Sequence, residues 1–122
     1  MVRKVLVGVS LLGTSAVIAT SALAQRASTP TLNATVGPGF TITVKQNGKV
    51  VKTLKAGTYK FVIADKSSIH AFALDGPRGF EKDLTTVPGT GTKTVMLSLK
   101  AGRYKYYCPP HEAGMFGRFT VK

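Results

Sequence analysis

The sequence has few residues that could form cross-links or bind metal ions. It contains one Cys and two His among 122 residues, and it has no Trp. A single Cys cannot form a disulfide within the chain, so a disulfide-stabilised scaffold is excluded. The Cys and His residues together also fall short of the four such ligands of a zinc finger. The length argues for one domain rather than a large multidomain enzyme.

Acidic residues are scarce as well. Five Asp and Glu stand against 17 Lys and Arg, which gives a formal net charge of +12. This imbalance favours an acidic partner or surface, although lysines on solvent faces of strands also protect sheet edges from aggregation. Nucleic acid is not expected, because the basic residues are scattered singly and the chain is predicted to be exported. The hydrophobic fraction of 43% argues against wholesale disorder.

The N-terminal segment lacks the run of roughly 20 apolar residues that a membrane span needs. It begins with Arg3 and Lys4, continues through an apolar stretch at 5–18, and ends in Ala-Leu-Ala at 22–24. This pattern predicts a signal peptide over 1–24, cleaved before Gln25 and directing the protein to the periplasm or outside the cell. A retained membrane anchor is the alternative. Loss of Arg3 and Lys4 would lower the net charge from +12 to +10.

After a short polar lead at 25–30, residues 31–122 alternate between apolar and polar with period two, which is typical of β-strands. Strands are predicted at 32–36, 40–45, 50–54, 59–63, 69–74, 94–99, 104–108 and 118–121. Residues 76–92, with two Pro and four Gly, are predicted to form a loop. No helical stripe exceeds two turns. We therefore predict an all-β fold, a Greek-key β-sandwich of seven or eight strands, with Cys108 facing inward beside Tyr104 and Tyr106.

One cluster of residues near the C-terminus could bind a metal ion. Cys108 and His111 are separated by two prolines, Met115 follows on the same loop, and His70 lies in a separate predicted strand. A thiolate, two imidazoles and a distant thioether form the donor set of a trigonal copper site with a weak axial Met. Taken singly, Cys108 and Met115 could be core residues and His70 a structural histidine. Because the set includes every Cys and His of the chain, copper is favoured.

These motifs resemble the cupredoxins, the small blue-copper family. The resemblance lies in Tyr-Tyr-Cys-Pro-Pro-His at 106–111, Met-Phe-Gly at 115–117 and His-Ala-Phe at 70–72. It implies one copper ion with His70, Cys108 and His111 as strong ligands and Met115 as the axial ligand. It also implies that both imidazoles bind through Nδ1, with Nε2 pointing outward or to a partner.

The sequence departs from the family pattern after the first His. Many cupredoxins have Asn there, whereas this chain has Ala71. Pro109 and Pro110 also lack an N–H group. We therefore expect the sulfur of Cys108 to accept fewer hydrogen bonds than is usual in the family, although the backbone N–H of Ala71 can reach it.

Three strong ligands and a weak fourth leave no open position for a substrate, so an enzyme is not expected. We expect a monomeric carrier of single electrons whose redox partner, an acidic protein on grounds of charge, docks at His111. The predicted docking patch comprises Pro109, Pro110, Ala113, Gly114, Met115 and Phe116. The alternatives are a copper-binding or copper-delivery protein without an electron-transfer role, and a metal-free structural or adhesion module.

Overall fold

The computed structural model describes residues 28–122, together with Gly8 and Gly13. Apart from Gly8 and Gly13, the predicted signal peptide lies outside the described residues, as do residues 25–27 of the polar lead. No helix in the described part of the chain is long and apolar enough to span a membrane. The strands are β1 (Thr31–Val36), β2 (Ile42–Gln46), β3 (Lys49–Val50), β4 (Thr53–Leu54), β5 (Gly57–Asp65), β6 (Ala73–Asp75), β7 (Glu81–Asp83), β8 (Gly91–Leu99), β9 (Gly102–Tyr107) and β10 (Phe116–Val121).

The strands form two five-stranded sheets. One sheet, called sheet A here, has the order β3-β2-β1-β5-β8, and the other, sheet B, has the order β4-β10-β9-β6-β7. Two pairs are parallel, β1 with β5 and β4 with β10, and the other pairs are antiparallel. Two short 3₁₀ turns occur at Pro77–Gly79 and Pro109–His111. The predicted all-β sandwich is confirmed.

The strand count and some strand limits differ from the prediction. The predicted strand 50–54 is two short strands, because β3 pairs with β2 in sheet A and β4 pairs with β10 in sheet B. The predicted loop 76–92 contains β7 and the start of β8. The predicted strand 40–45 begins at Ile42, which leaves Phe40 outside it.

The segment around His70 is also not a strand, contrary to the prediction of a strand over 69–74. Only 73–75 pair, as β6. The amide of His70 donates to the carbonyl of Ser67 at 3.3 Å, and that of Phe72 donates to Thr85 Oγ1 at 2.9 Å. Because these amides are satisfied within loops, the segment does not join a ladder.

The core lies between the sheets and follows the period-two pattern. In β5, Tyr59, Phe61 and Ile63 are buried. In β9, Tyr104 and Tyr106 are buried, and Cys108 continues the same inward face just beyond the strand. The prediction that Cys108 lies on the face of these two rings is therefore confirmed.

Stacked aromatic rings hold sheet B together on its inner face. Tyr104 stacks on Phe119 at 5.2 Å between ring centroids, and Tyr106 stacks on Phe72 at 5.9 Å. Stacked pairs of this kind add about 0.5–1.5 kcal/mol beyond the area they bury. They fix β9 against β10 and against the segment that carries His70.

Gly117 makes room for one of these rings. It lies opposite Tyr106 in the β9–β10 ladder, and a Cβ built at Gly117 would overlap the phenol ring of Tyr106. The ring thus covers the strand where Gly117 has no side chain.

We predict that Gly117→Ala lowers the free energy of unfolding by about 1–3 kcal/mol, because the added methyl group must displace Tyr106 from a close-packed core. Chemical denaturation measured by circular dichroism checks this. Gly39→Ala is the control, since a Cβ at Gly39 would contact no atom within 4 Å. Equal stability of the two variants would contradict the assigned role of Gly117.

Candidate metal centre

Three of the four predicted ligands come together at one end of the sandwich. His70 lies in the loop before β6, Cys108 directly follows β9, and His111 ends the 3₁₀ turn at Pro109–His111. The two Nδ1 atoms are 3.2 Å apart, and the sulfur of Cys108 lies 3.7 Å from each of them. Among the described residues, these three form a cluster that could hold a metal ion.

The spacing of the three atoms fits a metal ion. A point equidistant from all three lies about 2 Å from each, which is the length of a typical metal–imidazole bond. A thiolate with two imidazoles in a trigonal arrangement is the donor chemistry of copper electron-transfer sites. The donors present therefore fit copper by both chemistry and distance.

Backbone hydrogen bonds close the loop that carries Cys108 and His111. The amide of Cys108 donates to the carbonyl of Met115 at 3.0 Å, and the amide of Met115 donates to the carbonyl of His111 at 2.9 Å. The amide of His111 donates to the carbonyl of Cys108 at 2.9 Å. Pro109 and Pro110 occupy the start of the 3₁₀ turn, where a missing N–H leaves no bond unmade. The loop therefore holds both side chains in place.

His70 is fully buried. Its Nδ1 faces the other two donors, while Nε2 is buried and has no hydrogen-bond partner in the described part of the chain. The expectation that Nε2 points outward or to a partner therefore does not hold for His70.

Gly37, with a φ of +75°, passes close beside the ring of His70. A Cβ built at Gly37 would lie 3.4 Å from His70 Cδ2 and 2.9 Å from Ser67 Cβ. A larger residue would be strained and crowded at that position.

The backbone of Ala71 reaches the sulfur, as expected. Its amide donates to Cys108 Sγ at 3.4 Å, and the Ala71 side chain is buried. No second hydrogen-bond donor to this sulfur, apart from the ring nitrogens, is found among residues 28–122. The sulfur is thus sparsely hydrogen-bonded.

Met115 lies on the same loop with its side chain buried. The predicted docking patch around His111 is therefore wrong in one member, since Met115 does not reach the surface. Pro109, Pro110, Ala113, Gly114 and Phe116 are exposed, and His111 is half-buried.

Phe40 is the residue at this end that the sequence analysis missed. Its ring contacts the rings of His70 and His111 edge to face, with both centroid distances 5.1 Å, yet 65% of Phe40 is exposed. The period-two pattern predicts that it belongs to the strand 40–45. A hydrogen bond from the amide of Gly37 to the carbonyl of Thr41, at 2.9 Å, closes a loop that carries Phe40 over the two imidazoles. The only signal in the sequence was the Gly-Pro-Gly that precedes it.

Tyr107, next to Cys108, faces the other side of sheet B. Its hydroxyl donates to Asp75 Oδ1 at 3.2 Å. Burial, together with the negative charge and hydrogen bond of Asp75, raises the pKa of Tyr107 to about 12. The phenol is therefore neutral at physiological pH and links β9 to β6 beside the cluster.

Comparison with known proteins agrees with this geometry. The family described as copper binding proteins, plastocyanin/azurin family, matches residues 33–122. Plastocyanin of Rumex obtusifolius is 38% identical over 88 residues, which cover 70% of this chain and 85% of that protein. Chloroplastic plastocyanin of Pisum sativum is 37% identical over 129 aligned positions, covering 93% of this chain and 70% of that protein.

A solved structure of the copper protein rusticyanin shares the fold. It has a TM-score of 0.55 and 21% identity, and the match covers 75% of this chain and 76% of that one. The chain therefore belongs to the plastocyanin/azurin family of copper-binding proteins, the cupredoxins, and its cofactor is copper.

Proposed function

We propose that this protein is an exported carrier of single electrons, with one copper ion held by His70, Cys108 and His111 and by Met115 as a weak axial ligand. Copper bound there would supply a one-electron couple between Cu(I) and Cu(II). The observation that carries the proposal is the convergence of the two Nδ1 atoms and the sulfur in a triangle of which His70 and Cys108 are buried and His111 is half-buried.

The chain's contribution is to hold these donors in a geometry that need not change when an electron passes. Cys108 and His70 are fully buried, and the backbone bonds of the 108–115 loop keep Cys108 and His111 at a fixed separation. Rigid donors in a dry site reduce the rearrangement that accompanies electron transfer. A copper ion held by three strong donors and a weak fourth would have no good position left for a substrate. This supports a carrier rather than an enzyme.

Electrons would enter and leave where the site is closest to the surface. His111 is half-buried, and the exposed ring of Phe40 lies over it and over His70. The neighbouring exposed residues are Pro109, Pro110, Ala113, Gly114 and Phe116. A small apolar surface of this kind suits brief encounters with a redox partner, which commonly bury less than about 1,200 Å².

We predict that the domain loaded with Cu(II) is intensely blue, with narrow copper hyperfine splitting in its paramagnetic resonance spectrum, because the thiolate of Cys108 binds the metal. In Cys108→Ser both signatures are expected to be lost, since a hydroxyl group cannot replace the soft sulfur. Optical and paramagnetic resonance spectra of the two proteins check this.

A colourless wild-type protein would contradict the copper site. Blue protein that loses copper readily to a chelator and shows no reversible voltammetric wave would instead favour the copper-delivery function.

We predict that Ala71→Asn raises the reduction potential. A sulfur with few hydrogen bonds is electron-rich and favours Cu(II). A hydrogen bond added by the Asn side chain should therefore shift the equilibrium between the two oxidation states toward Cu(I). The expected shift is a few tens of millivolts, where about 59 mV corresponds to a tenfold change for one electron. Voltammetry measures it, with Ala71→Val as a control of similar bulk and no amide. An unchanged potential in Ala71→Asn would count against this account.

We predict that Phe40→Ala lowers the reduction potential by a similar amount, because water reaching the imidazoles stabilises the more highly charged Cu(II) state. Voltammetry and the rate of electron self-exchange check this, and the rate is expected to fall. Met96→Ala is the control, since Met96 is also apolar and exposed but lies on the outer face of sheet A. If the two variants behave alike, Phe40 does not shield the centre.

A further inference from the structure

Cationic side chains gather on the outer face of sheet B. In β9, Arg103 and Lys105 alternate with the buried tyrosines and point outward. In β10, Arg118 also points outward, and the ladder places it directly opposite Lys105. Lys52, just before β4, adds a fourth cation beside β10.

Three of these cations line one groove. Lys52, Arg103 and Arg118 surround a hollow of about 350 Å³ together with Phe119 and Thr120. No acidic residue lines it. Like charges on facing strands destabilise a sheet, so this grouping lowers the stability of the free protein unless an anion offsets it.

The chain itself does not neutralise the groove. In residues 28–122 the one ion pair joins Lys105 to Glu112 at 2.9 Å, which leaves Lys52, Arg103 and Arg118 without a carboxylate within 4.0 Å. The acidic residues of this face begin one strand away, where Asp75 in β6 lies directly opposite Lys105 of β9. Glu81 and Asp83 of β7 lie beyond it, with Lys82 between them. The outer face of sheet B is therefore positive at Lys52, Arg103 and Arg118, and its charge changes sign between Lys105 and Asp75.

The positive side is continuous with the metal end. Phe116 is 42% exposed and lies between two cations, with Lys105 Nζ 5.1 Å and Arg118 Cζ 4.9 Å from its ring centroid. Phe116 pairs with Tyr107, the neighbour of Cys108. Phe116, an exposed apolar residue at the metal end, therefore contacts Arg118, which lines the groove.

We infer that this surface, the β9–β10 surface of Lys52, Arg103, Lys105, Phe116 and Arg118, docks a cluster of carboxylates on an acidic redox protein. The inference rests on the proposed electron-transfer function and specifies its partner. Charge complementarity identifies the partner. Three exposed cations that form no ion pair within residues 28–122 are matched by carboxylates on another protein. The negative β6–β7 edge repels the same partner and so sets its orientation.

Hexaglutamate peptide is the first probe, titrated into the Cu(I) protein and followed by amide NMR shifts at low salt. The shifts are expected to cluster at residues 103, 105, 118 and 120. In the double variant Arg103→Glu/Arg118→Glu, binding should weaken by at least about tenfold. The matched control is Lys45→Glu/Lys60→Glu, which makes the same change of charge on the outer face of sheet A. It should bind the peptide nearly as well as the wild type.

Shifts scattered over all lysines, or equal loss of binding in both double variants, would overturn the inference, because the net charge alone would then account for binding. Salt at about 1 M, where the Debye length is about 3 Å, should abolish specific binding. Binding that persists there would likewise contradict a docking surface based on charge.

Hexacyanoferrate(III), an anionic oxidant, is the second probe. In that reaction it gains the one electron that the protein's Cu(I) loses, and no bond forms or breaks. At low salt the second-order rate should fall by about tenfold in Arg103→Glu/Arg118→Glu and much less in the control. Equal rates in both variants would contradict the surface. Absence of oxidation in every protein, with peptide binding intact, would instead contradict the electron-transfer function.

Discussion

The structure depends on keeping one sulfur atom dry and close to two imidazoles. Cys108 is completely buried, so its thiolate must be neutralised by a cation or hydrogen-bonded. The amide of Ala71 and the two ring nitrogens are the groups that reach it. The stacked rings of sheet B, the hydrogen-bonded 108–115 loop and the Gly37 turn all serve to keep these groups in contact.

The inner face of the sandwich could be predicted from the sequence, because a period of two assigns every second residue of β5 and β9 to the core. The grouping of His70, Cys108 and His111 could be predicted because the chain offers no other Cys or His. Strand limits were less predictable. Whether 50–54 is one strand or two depends on which sheet each half joins, and that is decided by residues far away in the sequence.

Phe40 could not be placed from the period-two pattern. Its apolar character and spacing from Ile42 indicated a buried strand position, whereas the turn at Gly37 carries it to the surface above two histidines. The His70 segment was misassigned for a related reason. Its amides find acceptors on Ser67 and Thr85 and on the sulfur of Cys108, contacts that local patterning does not contain. Tertiary contacts thus outweighed local preference at Ala71 and Phe72, whereas a local turn displaced Phe40.

The parallel pairing of β10 with β4 joins residues separated by more than half the chain. During synthesis, Thr53 and Leu54 must wait for Thr120 and Val121 before that edge of sheet B can close. The β9–β10 ladder, which runs from this edge to the residue before Cys108, is therefore among the last parts of sheet B to form. Cys108 and His111 come late in the chain as well, so a nascent chain that stops short of them offers only His70 from the three clustered donors.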